Sequence, residues 1–130
     1  MIVLHIYTLL YQLIKICVNF PGTSDDSVPV IHKGCWKDDV NARTMVNIDG
    51  DIEKRFGADY ISRTEPKIHC MRVAIKRGFV VFALQNGGQC FGSPILDSYQ
   101  KLGNAPKWKC KDGKGGPSAN DVYELPPGKM

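Results

Sequence analysis

Four cysteines, Cys35, Cys70, Cys90 and Cys110, are the residues of this 130-residue chain best suited to covalent chemistry. Such a set can hold a metal, supply a nucleophile or close disulfides. Structural zinc sites usually carry C-x-x-C or H-x-x-x-H pairs, and no two of these cysteines stand closer than 20 residues. His69 adjoins Cys70, but neighbouring helix positions point about 100° apart, so the two do not form a nucleophile and its base. A surface His69 beside a bridged Cys70 is expected. With Cys17 set aside in the apolar N-terminal stretch, an even set of cysteines spread through about 100 residues reads as two disulfides of an oxidising compartment, with three pairings open.

Other chemistry is excluded motif by motif. "NGGQCFGSP" and "GKGGP" lack the order G-x-x-x-x-G-K-[ST], and neither G-x-S-x-G nor H-E-x-x-H occurs. "NIDGDIE" resembles a calcium loop only until its Gly50 is aligned with the loop glycine, which places Met45 at the first ligand position and Phe56 at the last. A solvated turn is expected there. No catalytic residue, metal ligand or cofactor is expected, and the chain reads as a binding protein rather than an enzyme.

For binding, aromatic rings and side-chain amides are the informative residues. Trp36, Tyr60, Phe91, Tyr99, Trp108 and Tyr123 offer flat apolar faces. Gln85, Asn86, Asn120 and Asp121 offer hydrogen bonds to hydroxyl groups, the combination a small polar ligand requires. A domain this small also needs aromatic core, and Trp36 and Tyr123 are assigned to it. Lys101, Lys107, Lys109, Lys111 and Lys114 make a basic stretch around Trp108 that would attract sulfated or sialylated sugars. The ligand set expected is Trp108, Tyr99, Gln85, Asn86, Asn120, Asp121, Lys107, Lys109 and Lys111.

Positioning these residues falls to one domain, since the length allows no second core. The first twenty residues are nearly all apolar, with His5, Gln12 and Lys15 breaking the run, and the segment is taken to end at residue 22. They read as an imperfect secretory signal, against a membrane anchor or an ordinary N-terminal helix. No stable membrane span is expected. Residues 23–32 form a spacer, 33–125 the domain and 126–130 a tail. Without the first twenty residues, 16 basic and 13 acidic side chains remain, a surplus too mild for a nucleic-acid partner.

Within the domain, "IHKGCW" reads as a first strand and residues 37–60 as a long loop with a short strand or helical turn. Ser62 and Glu65 match a capping box ahead of Pro66, and Ile68, Met71 and Ile75, with Cys70 and Ala74, share one helical face ending at Gly78. Phe79 to Leu84 is a strand, Asn86-Gly87 a hairpin turn and Gln89 to Phe91 the return strand. "ILDSYQKLG" suggests a short helix with Asp97 near its N-cap, and "DVYEL" a last strand. The fold class expected is α+β, one main helix packed on a small antiparallel sheet and stabilised by disulfides.

In order, "GCWKD", a cysteine-bearing helix, "FALQNGGQCFGS" and "CKDGKGGPSANDVYEL" resemble the WSC domain, an extracellular cysteine-rich module. Gly34, Cys35 and Trp36 match its opening, Cys70 its helix, Phe82 to Gln85 with Cys90 its central strands, and Cys110, Gly115, Gly116, Val122 and Tyr123 its close. A usual WSC domain has eight cysteines; here Ala74 and Gly92 stand where two of them would be. The resemblance implies a PAN/apple-like fold with the helix tied to the central strands and the first strand beside the last. It therefore favours Cys70 with Cys90 and Cys35 with Cys110, leaving Cys35 with Cys90 and Cys70 with Cys110 as the alternative. It also implies a secreted, non-enzymatic module recognising glycans or extracellular-matrix components. A secreted toxin or defence peptide acting on a protein, or a structural matrix protein without a ligand, are the rival expectations.

Overall fold

The computed structural model describes residues 28–127; the expected signal at 1–22, the first half of the spacer and the last three residues lie outside it. Among the described residues, five strands, β1 (Ile31–Lys37), β2 (Val46–Asn47), β3 (Val81–Gln85), β4 (Gln89–Ser93) and β5 (Ala119–Glu124), and one α-helix, α1 (Pro66–Lys76), make up the regular structure. The sheet runs β1-β5-β3-β4-β2 with every neighbouring pair antiparallel. The chain is thus an α+β domain of the expected class.

Central β3 is buried at all five positions, because both faces of the sheet are covered and its side chains alternate between them. Phe82 and Leu84 meet Cys70, Met71 and Ala74 of α1 on one face. Val81 and Ala83 meet Met45, Phe91, Tyr99 and Val122 on the other, with Trp36 packed at the margin. Trp36 sets its ring edge-on to Tyr99, with centroids 4.9 Å apart. Tyr123, 5% exposed, lies in the helix-side core, as expected.

The helix begins later than its capping box implies. Ser62 donates its hydroxyl to the Asp59 carbonyl, and Glu65 is itself the N-cap residue, at φ 48° and ψ 54° with no side-chain cap bond. Proline disfavours the helical region for the residue before it, so Pro66 expels Glu65 from the helix and takes the first helical position. His69 also departs from expectation. It is 7% exposed and stacked on Phe56, with ring centres 4.0 Å apart. Gly78, at φ 75°, ends the helix as expected.

The expected hairpin joins β3 to β4 through Asn86, Gly87 and Gly88, all at positive φ. Gly88 is required by space as well, since a Cβ there would stand 2.7 Å from the Tyr60 carbonyl oxygen. Between Ile95 and Gly103 only a 3-10 turn forms, Ser98–Gln100, and the Asp97 side chain caps nothing.

Two disulfides close the fold. Cys70–Cys90 fastens α1 to β4, and Cys35–Cys110 fastens β1 to the lysine-rich loop. These are the pairings that the family resemblance favours. The margins of the sheet are partly covered. On the β1 side, Lys37 N–H donates to Gly103, Ala105 N–H donates to Cys35, and Trp36 bridges to Asn104. On the β4 side, two-residue β2 is continued by a bond from Ile48 N–H to the Cys90 carbonyl.

Candidate functional site

The lysine-rich loop is built on tight turns. Two 3-10 turns, Lys107–Lys109 and Lys111–Gly113, flank the bridged Cys110. Gly115 and Gly116 then run so close to the sheet and to the first turn that a Cβ would fall 2.1 Å from the Leu84 carbonyl oxygen or 2.0 Å from that of Lys109. Only glycine permits this approach. Trp108 stands out from the loop at 68% exposure, with the Lys109 ammonium 5.7 Å from its ring centre. Lys107 and Lys111 are exposed and Lys109 half-buried. An indole held outward beside cations is an apolar platform with a charged rim.

The loop's second turn is also one wall of a groove of about 460 Å³ against the N-terminal half of α1. Its floor is Met71, Leu84 and Tyr123, and Lys67, Glu65, Asp112 and Lys114 stand around it. The Lys67 ammonium lies 4.6 Å from the Tyr123 ring centre. Burial, and then the Asp121 charge, push the Tyr123 phenol up to about 12, so it remains a donor, to the Gly113 carbonyl at 3.0 Å. Lys67 had no motif around it in the sequence; only folding α1 onto β5 brings it here.

Most of the amide and carboxylate residues expected at the ligand face are turned inward. Gln85, Asn120 and Asp121 are 2%, 0% and 2% exposed. Gln85 Nε2 donates to Asp38 and Asn120, each at 2.8 Å, and Arg43 donates to Asp38 at 2.6 Å and to Gln85 at 2.9 Å. Thr44 gives Asp38 both its N–H and its hydroxyl. Asp121 pairs with His32, whose ring stacks on Tyr123. These groups satisfy one another, as buried polar atoms must, and they bolt the Asp38–Thr44 loop to β3 and β5. Tyr99 is likewise withdrawn, 1% exposed within the second core. Asn86, half-buried at the hairpin, donates to Gln89 at 2.9 Å and also bonds Gln85. Of the expected ligand set, the structure leaves Trp108, Lys107, Lys109 and Lys111 together at the surface.

In "NIDGDIE" Asp49 holds the fold, while Gly50, Asp51 and Glu53 stand on an exposed turn, as expected. Asp49 is gripped by Arg63 through two bonds, and Asp51 by Arg77 at 2.6 and 3.0 Å. Among the described residues no group of His, Cys, Asp and Glu is arranged to hold a metal ion, and no helix is long and apolar enough to cross a membrane. Comparison with protein-family models, with curated proteins and with solved structures gives no match to this chain.

Proposed function

We propose that this chain is a secreted, non-enzymatic module of WSC type, with a PAN/apple-like fold, that binds glycans or extracellular-matrix components through the Trp108 loop and the groove beside it. One observation carries the reading: the largest exposed apolar side chain of the described domain sits on a turn adjoining a disulfide. Left open to water such a ring adds nothing to stability, whereas stacking it on the apolar face of a sugar uses it. Supporting the family assignment are the pairing of the two disulfides, the tie from α1 to the central strands and the adjacency of β1 and β5. Supporting the compartment are the disulfides themselves, which persist where thiols are not kept reduced.

A glycan array read at two salt concentrations tests the proposal. Binding that survives salt and disappears in Trp108→Ala supports an aromatic platform. Binding that vanishes at high salt assigns recognition to the lysines, as a toxin acting by charge would require. Absence of any glycan signal rejects the reading.

A further inference from the structure

The opposite flank of α1 carries a second concavity with different chemistry. Lys67, Ile68 and Met71 face the Tyr123 groove, whereas His69, Arg72, Val73 and Lys76 point the other way, as their helical spacing requires. There the 3-10 turns Asp49–Asp51 and Lys54–Phe56 stand off from the C-terminal half of the helix, leaving a cleft of about 640 Å³. Its apolar surface comes from Ile52, Phe56 and Val73. Phe56 is held between the His69 ring and the Arg55 guanidinium, which lies 4.6 Å from its centre.

The rim is cationic. Arg55, Lys76 and Arg77 outnumber the two carboxylates, Asp51 and Glu53, that share the cleft with them, and Arg72 adds a further guanidinium to the lining. Arg77 is bonded to Asp51, and Arg55 meets Glu53 at 2.9 Å. Both pairs are open to water, with side-chain exposures of 41% and 35% in the first and 70% and 64% in the second. Exposed pairs contribute little, so a ligand oxyanion can displace either carboxylate at small cost, and a guanidinium presents the forked donors an oxyanion fits. Burial, followed by the Arg72 charge, holds the His69 imidazole below its ordinary 6.5, which keeps the ring under Phe56 uncharged at neutral pH.

We propose that this cleft binds a small organic anion, an apolar body bearing one carboxylate, sulfate-ester or phosphate-ester group. Arg55, Lys76 and Arg77 receive the oxyanion and Ile52, Phe56 and Val73 the body. The site is separate from the Trp108 loop and does not depend on the glycan reading.

Nuclear magnetic resonance titration of the disulfide-bonded chain with benzoate, phenyl sulfate and phenyl phosphate, and with neutral benzyl alcohol as control, tests it. At least one anion is expected to shift the His69 and Val73 signals saturably while the alcohol does not, and the order of the three names the oxyanion. Lys76→Gln, an exposed change that leaves the fold intact, is expected to weaken that anion several-fold, as is raising the salt to about 0.5 M. The proposal is overturned if no anion shifts these signals, if the alcohol shifts them equally, or if Lys76→Gln leaves the affinity unchanged. Trp108→Ala is expected to bind the anion as the parent chain does, so failure of either site leaves the other standing.

Discussion

Arg63 and Asp49 form a two-pronged ion pair, Nη1 to Oδ1 at 2.7 Å and Nη2 to Oδ2 at 3.1 Å, and the same Oδ1 accepts the Cys90 N–H at 3.0 Å. Arg63 also donates from Nε to the Gly57 carbonyl, so one buried arginine joins the 49–57 segment to itself and, through Asp49, to β4. Removing one partner strands the other in a site where the Arg63 side chain is 2% and that of Asp49 17% exposed. Asp49→Ala is expected to cost about 3 to 5 kcal/mol in urea unfolding. Asp49→Asn, which keeps an acceptor for Cys90, should cost less; equal losses would show that the backbone bond contributes nothing.

Gly92 is kept small by Phe79. A Cβ at this buried position in β4 would meet the Phe79 ring at 2.7 Å and Ile48 at 3.1 Å, which is a physical reason for the position to carry no side chain. Gly92→Ala should therefore destabilise by about 1 to 3 kcal/mol through overpacking. Combined with Phe79→Leu it should cost less than the two changes added together. Simple additivity in thermal or denaturant unfolding would refute the steric account.

The two disulfides should differ in worth. Cys35–Cys110 spans 75 residues and Cys70–Cys90 spans 20, so in the chain-entropy account the longer loop restrains the unfolded chain by about 1 kcal/mol more. Replacing both cysteines of each bridge by alanine, one bridge at a time, isolates the difference. A larger loss from the Cys70–Cys90 pair would mean that packing in the α1 core outweighs the entropy of the unfolded chain.

Stability should fall at both ends of the pH scale, for separate reasons. Burial raises the Asp38 carboxyl, but bonds from Thr44, Arg43 and Gln85 and from the backbone outweigh it and hold the group below its ordinary 3.8. A carboxyl lowered by folding stabilises above its unfolded pKa, and that contribution is lost as pH drops from 3.8 through the folded value. Tyr123, raised from 10.0 to about 12, behaves in the opposite sense. Its contribution is complete below pH 10 and is lost as pH climbs toward 12. Unfolding free energy measured against pH should become flatter on the acid side in Asp38→Asn and on the alkaline side in Tyr123→Phe; unchanged profiles would remove these groups from the account.

The framework was legible wherever local chemistry governs local shape. The β-branched and aromatic run before Gln85, Asn86-Gly87 in the turn, Gly78 at the helix end and the spacing of Cys70, Met71 and Ala74 all act over a few residues, and the structure follows them. The ligand set was less legible because side-chain amides have the same chemistry facing inward or outward. Gln85 closes a run, Val80 to Leu84, that the sequence already marks as strand, and a polar residue continuing such a run signals a buried network. Its partners, Asp38, Arg43 and Asn120, are distant in sequence, and nothing local identifies them. His69 was misplaced for the same reason: the Phe56 ring that covers it belongs to a different turn.

The partly covered margins of the sheet bear on how the molecule behaves in a crowd of its own copies. An unpaired strand edge is a template on which another chain can add a strand and begin a fibre. Here residues 103–105 cover the outer half of β1, and β2 with Ile48 covers β4. Folding thus shortens the backbone edge from which ordered aggregation can grow to residues 31–34 of β1 and two-residue β2, with the apolar Trp108 displayed a few residues from the covered part of β1.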